Sequence, residues 1–168
     1  LTLDATINPD FGQVEADPAE VNLSAFETFF GERRPFFAEG GGLFAGGRGI
    51  NNCFYSRRIG AVPIGPPSSD DVDYPRTATI LGAAKLTGRL ASGTSVGILG
   101  AVTDEEHART FDRAAGAFGS VAVAPRSAWG VARILQEFGQ SKSTAGVLFT
   151  GVHRDLAPGG PLAALLTR

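Results

Sequence analysis

Residues 84–102 read AKLTGRLASGTSVGILGAV, and their alternation decides the fold class. Every second residue in the first half is apolar or small, and the residues between them are Lys85, Thr87 and Arg89. A period of two is typical of a β-strand with two different faces. Ala91-Ser92-Gly93 supplies a turn, and the second half continues the apolar side with Val96, Ile98, Gly100 and Val102. The stretch predicts a β-hairpin with one apolar side and one side that carries Lys and Arg.

Further strands are predicted on both sides of this hairpin. Residues 1–7 alternate strictly and predict a half-buried strand. A second hairpin is predicted from 127–138 and 144–154, joined by 139–143. Its strands are about 10 to 12 residues long, which is near the length a tilted strand needs to cross a bilayer. Many strands of soluble proteins are about half as long.

The two sides of the first hairpin allow two interpretations. In a soluble sheet the side with Lys85 and Arg89 would face solvent. In an outer-membrane barrel that side would face the lumen, and the apolar side would face lipid. Periodicity alone leaves both interpretations open.

Residues 8–50 contain the most unusual segment of the chain, which begins NPDFGQVEADPAEVNLSAFETFFGERRPFFAEG. Asp17, Pro18 and Glu20 have the order expected at a helix start, and the apolar spacing predicts an amphipathic helix over about 18–30. Four charged residues then surround the tripeptide Pro35-Phe36-Phe37, which has two aromatic rings; they are Glu32, Arg33, Arg34 and Glu39. Such a segment needs an enclosed, partly wet site where Arg can pair with carboxylate. We interpret it as a plug-like segment; the alternative is a salt-bridged loop over a small core.

The remaining segments are predicted to be mostly connections. Residues 51–75 are expected to form a short strand at 53–59 (CFYSRRI) and then a loop rich in Pro and Asp. Residues 77–154 hold the two hairpins, with a charged connection at 104–113 between them. A loop is expected over 155–168. We interpret residues 1–168 as a fragment of a single domain.

Six motifs in order resemble a family of Gram-negative bacterial envelope proteins: NPDFGQVEADP, NLSAFETFF, ERRPFFAEG, FYSRRIG, GAAKLTG and HRDL. In that family an uncharacterised domain similar to an outer-membrane β-barrel follows a carbohydrate-binding module of the family 9 type. Members are often labelled membrane-associated hydrolases, because of that module. The chain departs from the family pattern at Gly31, Ala38 and His153, where Pro, a larger apolar residue and Asn are usual.

The resemblance and the alternating segments together imply a mainly β fold. We expect antiparallel up-and-down strands of a partial outer-membrane-type β-barrel, with one short amphipathic helix (about 18–30) and long loops. The expected function is that of a non-catalytic segment of an outer-membrane protein that docks or passes a ligand, and the module of the family implies a carbohydrate. Its partners would be outer-membrane lipid and the remainder of the same chain. The alternative is a periplasmic or membrane-associated glycan hydrolase or accessory domain.

The charged residues of the plug-like segment and of the strands are the candidate lumen or ligand contacts. We expect the first four of the following to pair with the last four: Glu32, Arg33, Arg34, Glu39, Arg57, Arg58, Lys85 and Arg89.

Composition and motifs narrow the possible chemistry. A net charge of -2 without a basic stripe gives no reason to expect a nucleic-acid partner. A single cysteine, Cys53, excludes a disulfide within the chain, and His107 and His153 do not stand in a zinc-binding motif. No serine-hydrolase motif is found. We therefore expect no catalytic residues, no metal and no cofactor in this chain.

Overall fold

The computed structural model describes residues 1–9, 30–44, 54–65, 69, 71–140 and 142–166. The described chain is mainly β-structure with a few short helical turns, so the predicted fold class is confirmed. Its strands are β1 (Thr2–Ile7), β2 (Asp71–Asp73), β3 (Ile80–Arg89), β4 (Thr94–Thr103), β5 (Glu106–Asp112), β6 (Ala117–Ala124), β7 (Ser127–Phe138) and β8 (Ser143–Arg154). Its α-helices are α1 (Pro35–Ala38) and α2 (Pro161–Leu166), and 3-10 turns lie at Gly41–Leu43 and Ser56–Arg58. No helix within these ranges is long and apolar enough to cross a membrane.

A five-stranded sheet contains both predicted hairpins, and its strand order is β1-β3-β4-β7-β8. All neighbouring strands in it are antiparallel. The β3-β4 hairpin turns at Gly93, whose φ of 83° favours glycine. The sheet does not close on itself into a barrel.

A second, three-stranded sheet has the order β2-β5-β6 and was not predicted. It corrects the prediction of a charged connection at 104–113, because Glu106–Asp112 forms β5. Ala108 and Thr110 of this strand are buried, whereas His107 and Arg109 between them are exposed. The three-residue strand β2 lies within the predicted loop of 51–75.

Three further predictions concern segments outside the strands. The strand predicted at 53–59 is wrong for the residues described there, because 54–59 contains the 3-10 turn at Ser56–Arg58. The amphipathic helix predicted over about 18–30 lies outside the described residues except for Phe30, which is in an irregular segment. In the loop predicted at 155–168, the structure has α2.

The core lies on one face of the five-stranded sheet, which we call the covered face. This face carries Lys85. Its buried apolar residues are Ile80, Ala83, Leu99, Ala101 and Val131, and they form one core with three residues from outside the sheet, Phe37, Phe44 and Ile59. Gly97 allows this contact, because a Cβ atom there would be 3.0 Å from the ring of Phe44. The ring of Phe44 therefore rests directly on β4.

The opposite face, which we call the open face, is apolar and exposed. One row crosses all five strands and consists of Leu3, Leu86, Ile98, Ala132 and Phe149. Phe149 is 71% exposed and Ile98 is 47% exposed. None of the open-face positions in the five strands carries Asp, Glu, Lys or Arg, and no residue of the described core lies there. The charged residues of these strands are all on the covered face.

Candidate functional site

The candidate site is the contact between the covered face and residues 30–44 and 54–60, which we call the covering segment. Phe37 and Phe44 of this segment are almost completely buried against the sheet. Pro35 begins α1, where the ring of proline is tolerated because the first helical N–H groups have no partner inside the helix. This short helix directs Phe36 and Phe37, whose rings meet edge to face at 5.0 Å between centroids. The charged residues of the segment are thus held next to the sheet.

Glu32 and Arg34 form the central ion pair of the covering segment. The guanidinium of Arg34 donates to both carboxylate oxygens of Glu32, from Nε at 2.8 Å and from Nη2 at 2.7 Å. Its remaining donors reach the carbonyl oxygens of Ile59 at 2.6 Å and Ser56 at 2.8 Å. Both side chains are largely buried, with 12% of Arg34 and 14% of Glu32 exposed. Arg34 therefore joins the first part of the covering segment to the turn at 56–59.

The environment of Glu32 stabilises its ionised form. Burial is the largest single influence and by itself raises the pKa. Hydrogen bonds from the Arg34 side chain and main chain and from the Ser56 hydroxyl outweigh that effect, so the pKa of Glu32 is lowered from its ordinary value. The Ser56 hydroxyl donates to Oε2 at 2.6 Å. A carboxylate that accepts several hydrogen bonds is preferentially charged.

Lys85 is the only charged side chain in the described part of the chain that is fully buried, with 1% exposed. Its Nζ donates to the carbonyl oxygens of Phe36 at 2.8 Å and Glu39 at 2.6 Å. The carboxylate of Asp4, the paired position on β1, lies 3.6 Å away. The ammonium group also lies 5.0 Å from the centre of the Phe36 ring, within the range of a cation–π interaction. A buried ammonium needs such partners, because an unpaired buried charge is strongly unfavourable.

The structure brings together only some of the predicted pairs. Lys85 does contact the covering segment, but through carbonyl groups and not through the carboxylate of Glu39. Arg89 forms an ion pair with Glu137 of β7, which corrects its predicted pairing with the covering segment. Glu32 pairs with Arg34 of its own segment, because their separation of two residues lets the guanidinium fold back onto the carboxylate.

The other predicted residues lie at the periphery of the site. Arg57 donates to the carbonyl oxygen of Gly31 at 2.9 Å, and its guanidinium lies 5.8 Å from the Phe30 ring. Arg33 and Arg58 are exposed. The side chain of Glu39 is also exposed, and the contact of this residue with the sheet is the carbonyl bond to Lys85.

Three residues of the site were missed from the sequence. Arg133 of β7 donates to the carbonyl oxygen of Leu43 at 3.2 Å, so it holds the end of the covering segment. Glu137 pairs with Arg89, and Asp4 lies near Lys85. The period of two was a usable signal, since 129, 131, 133, 135 and 137 of β7 all lie on the covered face. What the sequence could not supply was the strand register that places these residues opposite β3 and β4.

A cleft of about 250 Å³ opens beside the Glu32 carboxylate. Aromatic rings form part of its wall, and the Ser56 hydroxyl and the Glu32 carboxylate supply polar groups; the rings are those of Phe37, Phe44 and Phe54. Apolar walls with a few placed polar groups are usual in small-molecule sites. Within the described ranges, no three His, Cys, Asp or Glu residues are grouped so that they could hold a metal ion.

Comparison with known proteins gives one match. The model of a protein family matches residues 1–158, and that family is described as a domain of unknown function. No curated protein and no solved structure matches the chain.

Proposed function

The chain belongs to this family, DUF5916, and we propose that it forms part of the wall of an outer-membrane β-barrel. In this proposal the open face contacts lipid, and the covered face lines a lumen that is partly filled by the covering segment. The observation that carries the proposal is the distribution of charge and exposure over the two faces. The exposed face has no charged residue in the five strands. The face with Lys85, Arg89, Arg133 and Glu137 carries the described core, and on it Lys85 is buried whereas Arg89, at the end of β3, is exposed.

This distribution is the reverse of what water favours. A sheet in water buries its apolar side and exposes its charged side, because burying apolar area is favourable. A membrane barrel does the opposite, with an apolar outer band and a polar interior. Seven residues of β4, 96–102, extend about 20 Å along the strand at roughly 3.3 Å per residue, and at a tilt of about 40° they cover about 15 Å of the height of about 25 Å of such a band. Polar side chains bound it on the open face, with Thr94 and Gln136 at one end and His153 at the other.

Strand length supports the same proposal. The strands β3 and β4 have 10 residues each, and β7 and β8 have 12 each. A tilted strand needs about 9 to 11 residues to cross the bilayer. Closure needs about eight strands or more. The proposal therefore requires further strands, from the remainder of the same chain, that pair with the edge strands β1 and β8.

In this proposal the covering segment lies inside the lumen and limits what can enter it. It would restrict the lumen and present the cleft beside Glu32 to a ligand that docks there or passes by. A carbohydrate is the ligand class implied by the resemblance to proteins with a carbohydrate-binding module. Aromatic walls with a hydroxyl and a carboxylate suit a polar ligand with apolar faces.

The membrane proposal is tested with spin labels on the full-length protein. Cys53 is first replaced by Ser, and single cysteines are placed at Ile98, Val147 or Phe149 of the open face. We expect these labels to be accessible to oxygen and shielded from a polar nickel reagent. The matched control is a label at Phe118 of β6, which is 83% exposed but lies on the second sheet, outside the proposed band, and should be accessible to nickel. Equal nickel access at Ile98 and Phe118 would overturn the proposal.

Fractionation gives an independent test. The protein should require detergent for extraction and should migrate differently on a gel before and after heating, as folded outer-membrane barrels do. Recovery of a stable monomer from a periplasmic extract without detergent would reject the membrane location. That result would favour the alternative of a soluble domain that acts on glycans.

A further inference from the structure

A second cleft, of about 300 Å³, lies where the two sheets separate. After β4 the chain leaves the five-stranded sheet at Asp104 and forms β5 and β6 of the other sheet. It returns to the first sheet through Pro125 and begins β7. An ion pair between Arg126 and Asp104, with 2.8 Å between Nη2 and Oδ1, joins the two strands at this break. The gap is bounded by the loop 58–64 on one side and by Trp129 on another.

The walls of this cleft are mainly apolar, and its charged lining residues have one sign. Apolar lining comes from the loop, from Trp129 and from the last helix, and includes Val62, Pro63, Ile64, Ala78 and Leu166. Among the residues that the structure describes, the charged ones that line the cleft are Arg58 and Arg154, and no Asp or Glu lines it. The guanidinium of Arg154 lies 5.8 Å from the centre of the Trp129 ring. Among the described residues, no carboxylate lies within 4.0 Å of it.

We propose that this cleft binds a small amphiphilic anion. The head group, a carboxylate or a phosphate monoester, would be held by Arg154, and Arg58 lines the same cleft. Arginine suits both head groups because its planar fork donates two parallel hydrogen bonds. The alkyl part would replace water against the apolar walls and the Trp129 ring, which is favourable in proportion to the apolar area buried.

The inference does not depend on the membrane proposal. The cleft is lined by covered-face and loop residues and does not include Ile98, Val147 or Phe149 of the open face. Binding could therefore succeed while the spin-label test fails, or the reverse.

The test is a titration of the full-length protein in a neutral detergent, with Trp129 fluorescence as the readout. Trp129 is the only tryptophan of this sequence, and a Trp129→Phe variant identifies its signal in the whole protein. The probes are octanoate, hexyl phosphate and, as the uncharged control, octanol. We expect saturable changes with both anions, or with one of them, and at least about tenfold weaker binding of octanol, since a charge-assisted pair of hydrogen bonds is lost. A response to octanoate alone identifies a carboxylate ligand, and a response to hexyl phosphate alone identifies a phosphate ester.

Two variants locate the binding. Arg154→Gln should weaken binding of the anion at least about tenfold, because it removes the guanidinium beside Trp129. The matched control is Arg113→Gln, at an exposed arginine beyond the end of β5 that pairs with Asp71 away from the cleft. The proposal is overturned if octanol binds as tightly as the anions, if no probe changes the fluorescence, or if both variants bind equally well. The comparison of octanoate with octanol uses the unaltered protein. It therefore tests whether the cleft prefers an anion even where a variant does not fold.

Discussion

The Nζ atom of Lys85 lies 2.6 Å from the main-chain carbonyl oxygen of Glu39. A charged side chain from the middle of a β-strand thus holds the backbone of the covering segment, while the Glu39 carboxylate remains exposed. The bond anchors the segment without requiring a particular side chain at position 39. Together with the bond from Arg133 to Leu43, it fixes both sides of the turn at 40–43 on the sheet.

Replacing Lys85 should loosen the covering segment. Lys85→Met keeps an apolar stem but leaves the carbonyl groups of Phe36 and Glu39 without their charged donor. Hydrogen bonds to charged groups contribute about 1.5 to 3 kcal/mol each, so we expect the free energy of unfolding to fall by about 2 to 4 kcal/mol. Denaturant titration of the full-length protein measures this, and trypsin should cleave faster after Arg33. Lys142→Met, at an exposed lysine, is the control, and an equal effect of both variants contradicts the anchoring role.

Removing Arg34 should leave a charge without its partner. In Arg34→Ala, the largely buried Glu32 carboxylate and two carbonyl groups lose their donor. Breaking a buried pair in this way is strongly destabilising, and we expect a loss on the order of 2 to 4 kcal/mol in the free energy of unfolding. Arg33→Ala, at the exposed neighbour, should cost less. A loss below about 0.5 kcal/mol for Arg34→Ala, the size usual for surface substitutions, means that the ion pair is exposed in solution.

The lowered pKa of Glu32 predicts a dependence of stability on acidity. A carboxyl group whose pKa is lower in the folded protein than in the unfolded chain stabilises the fold above the unfolded value, which is about 4.3 for Glu. That contribution is lost as the pH falls from about 4.3 through the folded pKa. We expect the difference in unfolding free energy between the unaltered protein and Glu32→Gln to be constant above about pH 5 and to shrink below about pH 4.3.

Denaturant titrations at several pH values measure this difference. Glu39→Gln is the matched control, because the side chain of Glu39 is exposed in the same segment. At neutral pH its free energy of unfolding should differ from that of the unaltered protein by less than about 0.5 kcal/mol, as is usual for an exposed substitution. A difference for Glu32→Gln that stays the same down to pH 2 would show that its carboxylate is not stabilised by Arg34 and Ser56.

A charge on the open face should distinguish lipid from water. Ile98→Arg places a guanidinium in the centre of the exposed apolar row. In a membrane barrel, Arg near the bilayer midplane costs about 2 to 4 kcal/mol, whereas an exposed substitution in water usually changes stability by less than about 0.5 kcal/mol. The unfolding free energy of the protein in lipid vesicles measures the cost. Phe118→Arg on the second sheet is the control and should have a small effect; a small effect at both positions contradicts lipid contact.

The hairpins were predictable because they are local. The alternation in 84–102 and the glycine at the turn specify β3, β4 and their connection without help from the rest of the chain. The strand β5 was missed because charged residues at and beside its ends, such as Glu105, Asp112 and Arg113, hide the alternation of Ala108 and Thr110 with His107 and Arg109. The turn at 56–58 was missed because the aromatic residues immediately before it, Phe54 and Tyr55, are typical of a strand. Arg34, more than 20 residues away, satisfies the Ser56 and Ile59 carbonyl groups there.

By itself the sequence determined that the chain forms antiparallel β-hairpins and that each strand has an apolar side and a side able to carry charge. A period of two is a property of the strand, so no distant residue is needed to specify it. Only the tertiary structure decided which side is covered. The choice depends on residues far apart in sequence, because Lys85 finds its partners at Phe36 and Glu39, and Phe44 finds its place over Gly97. These contacts bury Lys85 and its apolar neighbours on the charged side and leave the apolar side exposed. Periodicity cannot specify this outcome, because both sides alternate equally well.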